Sequence, residues 1–230
     1  MQNINVIIPA FNEEKSIAKV IADIPKGWVT DIIVVDNNSE DNTFAVATRA
    51  GATTLKEPRQ GYGQACLTGI AYALNKSTLN RPDILVFLDG DYSDYPAEMI
   101  KLVQPILENK ADLVIGSRAL GKREKGAMLP QQVFGNWLAT TLLRLFYGIR
   151  FTDLGPFRAI RTDKLVALSM QDRTYGWTVE MQLKAAKQKL NCMEVPVTYR
   201  KRIGFSKISG TVKGTLLAGY KIILTIFRYL

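Results

Sequence analysis

The triplet Asp89-Gly90-Asp91 follows the apolar run Ile84-Leu85-Val86-Phe87-Leu88 directly. Two carboxylates at i and i+2 around a glycine can converge on one divalent cation, because the glycine lets the backbone turn tightly. Oxygen-only ligation favours Mg2+ or Mn2+, ions that bridge a diphosphate and stabilise the charge on a departing nucleotide. Aspartate and glycine are also ordinary turn residues, so the triplet by itself is equally a loop. Asp36 closes a second apolar run, Asp31 to Asp36, in the same way. There it can accept hydrogen bonds from a nucleobase edge or a ribose, or cap the turn into a helix that begins near Asp41.

The rest of the composition narrows the chemistry. The chain of 230 residues has no histidine, which removes the Ser-His-Asp class and imidazole metal ligation together. Its two cysteines, Cys66 and Cys192, show no metal or disulfide spacing and fit a reducing, cytoplasmic setting. A formal charge of +9 calls for an anionic partner. Much of it sits late in the chain, in Arg118-Lys122-Arg123-Lys125 and in Arg200-Lys201-Arg202-Lys207-Lys213. Without a zinc-finger spacing or an RNP-type aromatic motif, phosphorylated small molecules or an acidic membrane explain this better than nucleic acid.

Positioning these groups requires strands. Ile4 to Pro9, Asp31 to Asp36, Thr53 to Leu55, Ile84 to Leu88 and Leu113 to Ile115 read as strands separated by helical patterns. That alternation predicts an α/β fold with a mostly parallel sheet covered on both faces. Ligands then sit beyond the carboxyl ends of the strands, where Asn12-Glu13-Glu14, Asp36-Asn37-Asn38-Ser39 and Asp89-Gly90-Asp91 all fall. After about residue 130 the alternation gives way to a helix over 131–147 and a Gly/Pro turn over 153–157. With no repeat, tract or linker, residues 1–230 read as one domain.

The opening residues lack the charged segment of a secretory leader, and no stretch reaches the roughly 20 uninterrupted apolar residues of a membrane span. The end of the chain, 208–230, reads as a basic amphipathic helix. Gly214, Lys221, Thr225 and Arg228 share one stripe, and Leu216, Tyr220, Ile223, Leu224, Phe227 and Leu230 the opposite side. Such a helix either lies in the plane of an anionic membrane or packs on its own domain.

These segments carry a resemblance. IIPAFNEE (7–14), VVDNNSEDNT (34–43), GYGQA (61–65), FLDGD (87–91), GSR (116–118) and RIGFSKI (202–208) occur in the order seen in family 2 glycosyltransferases of the GT-A fold. The likeness is strongest to polyprenyl-phosphate sugar synthases of the dolichol-phosphate mannose synthase type. It implies a nucleotide-sugar-binding part over 1–117, an acceptor-side part over 118–207 and the terminal helix. It implies a donor site of Pro9, Ala10, Glu13, Asp36, Gly61, Gln64, Asp89, Gly90 and Asp91. Asp89, Asp91 and Ser93 would hold Mg2+ or Mn2+, and Arg118, Arg158, Arg202, Ser206 and Lys207 would surround the acceptor phosphate. It further implies a nucleotide-sugar donor of the GDP-mannose or UDP-glucose type, a polyprenyl phosphate acceptor, peripheral attachment to the cytoplasmic face of a membrane, and room for a membrane-protein partner.

Two departures bear on the acceptor side: Pro130-Gln131-Gln132 stands where relatives usually carry an arginine, and Gly155-Pro156-Phe157-Arg158 replaces Ser-Gly-Phe-Arg. A phosphate acceptor, already ionised near neutral pH, needs no general base. A sugar-hydroxyl acceptor needs one, and Asp153 and Glu180 are the candidates. A sugar-nucleotide nucleotidyltransferase shares the sheet and the carboxylate-bound metal but usually opens with a glycine-rich basic loop, whereas the first strand here runs into Pro9-Ala10-Phe11-Asn12.

Overall fold

In the computed structural model, which describes residues 2–148, 150–204 and 212–229, the five anticipated strands form and two more join them. β1 (Ile4–Ala10), β2 (Asp31–Asp36), β3 (Thr53–Lys56) and β4 (Ile84–Phe87) pair in parallel. β5 is Leu113–Ser117, β6 Arg158–Arg161 and β7 Cys192–Pro196. The sheet order is β3-β2-β1-β4-β6-β5-β7. β6 runs antiparallel between β4 and β5, and β7 extends the edge parallel to β5. β6 and β7 were not legible in the sequence. Arg-Ala-Ile-Arg is too short and too charged to show a strand period, and β6 exists because both its edges find backbone partners in the middle of the sheet.

Successive strand residues point to opposite faces, so the apolar runs feed two cores at once. Val6, Ile8, Val34 and Val86 face α1 (Ile17–Asp23) and α4 (Met99–Leu107). Ile7, Ile33, Val35, Leu85 and Phe87 face α3 (Tyr62–Leu74) and α7 (Trp177–Lys187). α2 (Thr43–Arg49) lies on the first face, and α6 (Thr162–Leu168) on the second. α5 (Pro130–Tyr147) and α8 (Val212–Arg228) pack on each other at the margin of that second face, burying Ala139 and Leu143 of α5 and, among the described residues, Thr225 and Ile226 of α8.

Candidate active site

A cleft of about 330 Å³ opens beyond the carboxyl ends of β1, β2 and β4. Pro9, Ala10 and Glu13 line it from the end of β1, Asn37 from the end of β2, and Asp89, Gly90 and Asp91 from the end of β4. Gly61 and Tyr62 enter from the start of α3, Tyr175 from the loop before α7, and Arg202 from the strand-like segment after β7. Seven of the nine residues expected at a donor site therefore meet in one place. Asp36 and Gln64 stand one layer back. Asp36 accepts from the Ser39 backbone N–H at 3.3 Å, the turn-capping alternative, and the residue that reaches the cleft is its neighbour Asn37. Gln64 donates to Glu57 at 3.0 Å. Asn37 accepts from the Gly61 N–H at 2.8 Å and donates to the carbonyls of Glu57 and Arg59, which ties the loop ahead of α3 to the end of β2.

The two aspartates of the triplet are held differently. Asp91 is buried; its Oδ1 accepts from the Ser93 N–H at 2.8 Å and the Ser93 hydroxyl at 2.5 Å, and its Oδ2 takes the Arg202 guanidinium. Ser93 thus lies beneath Asp91 as its support and does not line the cleft. Arg202 arrives because residues 199–203 run along 91–94, with the Arg200 N–H bonded to Ser93 O at 2.9 Å and the Ile203 N–H to Asp91 O at 3.0 Å. Asp89 lines the cleft with its Oδ1 buried, and the hydroxyl of Tyr62 in the same wall, itself buried, acts on that carboxylate. Burial pushes the Asp89 carboxyl above its ordinary range, with Arg202 and Arg118 pulling the other way. A carboxylate at a cleft wall, beside a second carboxylate, suits a hard divalent ion. Among the described residues no group of three acidic, histidine or cysteine side chains converges, so any such ion would draw its remaining ligands from substrate and water.

Behind the cleft sits a second charged cluster. Asp153, 1% exposed, grips Arg118 through Nε at 2.8 Å, Nη2 at 2.6 Å and the backbone N–H at 2.7 Å. Burial works to raise the Asp153 carboxyl, and Arg118 overcomes it and holds it below the usual carboxylate range. Arg118 also stacks over Tyr199, 5.2 Å from the ring centroid. Asp94 is buried alongside with neither oxygen hydrogen-bonded, and burial, with the negative field of Asp89 second, pushes it up to about 8.

Three of the acceptor-side expectations are corrected here, at Arg158, Glu180 and Asp153. Arg158 is wholly buried, donating to the carbonyls of Leu154, Gly155 and Thr178 with its guanidinium 6.0 Å from the Trp177 ring centroid, so it builds the 153–157 turn and cannot meet a phosphate. Glu180 is also fully buried and accepts from the backbone N–H groups of Gln171 and Asp172, far from the role of a general base. Asp153, likewise named as a base, is already committed to Arg118. Ser206 and Lys207 lie outside the described residues. Signals for Asn37 and Tyr62 were present inside the quoted motifs; Tyr175 and Asp94 carried none, since only the fold brings them to the triplet.

The model of glycosyl transferase family 2 matches residues 5–168, more than half of the chain. The chain belongs to glycosyltransferase family 2. An uncharacterized glycosyltransferase of Mycobacterium tuberculosis is 35% identical to this family 2 glycosyltransferase over 217 residues, 94% of each chain. The undecaprenyl-phosphate mannosyltransferase of Micrococcus luteus is 30% identical over 220 residues, 90% of this chain and 88% of that relative. Among solved structures, glucosyl-3-phosphoglycerate synthase of M. tuberculosis, in complex with Mn2+, UDP-glucose and phosphoglyceric acid, superposes with a TM-score of 0.78 at 23% identity, covering 99% of this chain and 79% of that one. That likeness shows the GT-A fold.

The margin of this glycosyltransferase is unusual for a soluble surface. On α5, Phe134 is 60% exposed, Trp137 58% and Leu145 72%. On α8, Tyr220 is 65% exposed and Leu217, Leu224 and Phe227 are also exposed, while Thr225 and Ile226 are buried and Lys221 faces Asp172 at 3.2 Å. The stripe with Lys221 and Thr225 therefore seats the helix on the domain, and the apolar side looks outward. No helix among the described residues is long and apolar enough to cross a membrane.

Proposed function

We propose that the chain is an inverting, metal-dependent glycosyltransferase that moves a hexose from a nucleotide-sugar, of the GDP-mannose or UDP-glucose type, to a polyprenyl phosphate at a membrane surface. The observation that carries the donor half is the convergence of Asp89, Asp91 and Arg202 on the cleft at the carboxyl end of the sheet. A divalent ion held by Asp89 and Asp91 would neutralise the diphosphate of the leaving nucleotide. Pro9, Ala10, Glu13 and Asn37 form the wall against which a nucleoside fits, and Arg202 brings a permanent cation to where negative charge develops. The acceptor oxygen attacks the anomeric carbon from the face opposite the diphosphate; the new glycosidic bond forms as the bond to the nucleoside diphosphate breaks, and that group leaves with the electron pair.

For the acceptor half, the absence of an uncommitted base at Asp153 and Glu180 supports a nucleophile that is already ionised. A phosphate monoester meets that condition, and a sugar hydroxyl does not. The outward apolar faces of α5 and α8 support a lipid-borne acceptor, because exposed aromatics that meet in the pairs Phe134–Trp137 and Phe146–Phe227, on helices that also expose Arg144 and Arg228, suit the interface of an anionic bilayer. The name of the Micrococcus relative points the same way. The test is release of nucleoside diphosphate from a panel of GDP- and UDP-sugars with Mg2+ or Mn2+, with and without polyprenyl phosphate. Release from one donor that depends on both metal and lipid is the expected result; release indifferent to the lipid would overturn the acceptor reading.

A further inference from the structure

The loop over 171–175 touches the cleft on one side and α8 on the other. Tyr175 lines the cleft. The carbonyls of Thr174 and Arg173 accept from the N–H groups of Gly63 at 3.2 Å and Gln64 at 2.8 Å, so the loop caps the start of α3, where Gly61 and Tyr62 complete the same wall. The approach is so close that a Cβ on Gly63 would lie 2.1 Å from Asp172 O and one on Gly61 2.2 Å from Arg173 O. Any displacement of the loop therefore moves the donor cleft, because backbone is packed against backbone with no side chain to absorb the shift.

Two buried carboxylates hold this loop. Glu180 accepts from the Gln171 N–H at 3.0 Å and the Asp172 N–H at 2.8 Å, and Asp172 closes the loop on itself by accepting from the Thr174 N–H at 2.7 Å. Their remaining partners include α8 and the residue just after it. The Tyr229 hydroxyl donates to Glu180 at 2.7 Å, Lys221 stands 3.2 Å from Asp172, and Lys184 from α7 is 2.8 Å from Glu180. Thr225 sits directly on Gly176, where a Cβ would lie 2.4 Å from its hydroxyl and 2.6 Å from the Asp172 carboxylate.

We propose that the seat of α8 sets the geometry of the donor cleft, with Asp172 and Glu180 as the positioning residues that carry it. The inference rests on reading the cleft as the nucleotide-sugar site. Removing α8 contacts leaves two buried carboxylates short of a partner, and each relaxes by pulling on the loop amides it already holds. The outer side of the same helix exposes Leu217, Tyr220, Leu224 and Phe227, so a lipid surface that takes up that side acts on the seat from outside. Linkage is reciprocal: nucleotide bound in the cleft strengthens the seating of α8 by the same factor that seating strengthens nucleotide binding.

The experiment compares the full chain with Tyr229→Phe, which deletes one hydroxyl and keeps the ring, and with the double variant Tyr229→Phe/Lys221→Met. Binding of UDP and of GDP in Mn2+ is measured by calorimetry, donor KM and kcat by turnover, and protection of the Gln171 and Asp172 amides by hydrogen exchange. The expected result is a nucleoside diphosphate Kd weaker by on the order of tenfold in the double variant. Donor KM rises in parallel while kcat is largely kept, and the two amides exchange faster. A purely structural contact would lower the folded fraction and leave donor KM unchanged. Equal affinity in wild type and double variant overturns the coupling alone; a wild-type chain that takes up neither nucleotide overturns the donor reading and the coupling with it.

Discussion

Two clusters of charge lie at the carboxyl edge of the sheet, and they are satisfied in opposite ways. In the cleft, the Tyr62 hydroxyl acts on the Asp89 carboxylate, and the buried Asp91 takes an Arg202 whose side chain stays partly exposed to the cleft. Behind it, Asp153 is bonded to Arg118 at three points, through Nε, Nη2 and the backbone N–H, and Arg158 spends its guanidinium on backbone carbonyls. A cluster that faces the cleft can gain from a ligand, whereas a buried ion pair has already used its interactions to hold the turn that shapes the cleft. Residues of one chemical type thus divide into those that meet substrate and those that build the wall.

The contrast breaks most sharply at Asp89. Asp89→Asn should cut transfer by on the order of 10³-fold with unchanged circular dichroism, as removal of a developing-charge stabiliser does; normal turnover would mean the open cluster is not the reacting centre. The buried ion pair should answer in stability instead. Asp153→Ala strands Arg118 in the interior and should cost about 3–5 kcal/mol in denaturant unfolding, and a variant as stable as the parent would show the pair is dispensable.

Arg202→Ala tests whether a cation shared with Asp91 also serves catalysis: kcat/KM should fall by about 100-fold, more than the accompanying loss of stability at the buried Asp91 explains. A large loss of stability with unaltered kinetics would move Arg202 into the structural class. The smallest effect is expected at Asp94, which belongs to neither cluster cleanly. Its ordinary value of 3.8 is raised to about 8 in the fold, so between those values the folded state keeps a proton the unfolded state has released. Stability then declines as pH rises through that window. Asp94→Asn, which has no proton to lose, should melt about 5 °C higher than the parent at pH 8 and equally near pH 4. A difference that does not change with pH would show that Asp94 is ionised throughout.

Much of the donor side was legible before any coordinates. Carboxylates at the ends of apolar strand runs must emerge at the same edge once those strands pair in parallel, and local pattern suffices to find the strands. The triplet at 89–91, the Pro9-Ala10 strand end and the glycine at 61 reached the cleft for that reason. The acceptor side was not legible in the same way. Arg118, Arg158 and Arg202 look alike in sequence, and long cationic side chains take their role from whichever carboxylates or carbonyls the fold presents. Only folding told that Arg158 would be spent on a turn and Arg202 on Asp91.

The same division holds for the terminal helix. Its two-sided pattern was evident from spacing alone, because a 3.6-residue period sorts side chains without reference to anything else. Which side turns inward is a different kind of fact. The tertiary structure seats the stripe containing Lys221 and Thr225 because buried Asp172 and Glu180 need donors there, and so leaves Leu217, Tyr220, Leu224 and Phe227 facing out. Sequence by itself determined five of the seven strands, the carboxylates at their ends and the helical period, all set by neighbours within a few residues. Pairing of charges across the fold depended on distances between segments from 35 to 111 residues apart, and those distances exist only once the sheet has formed.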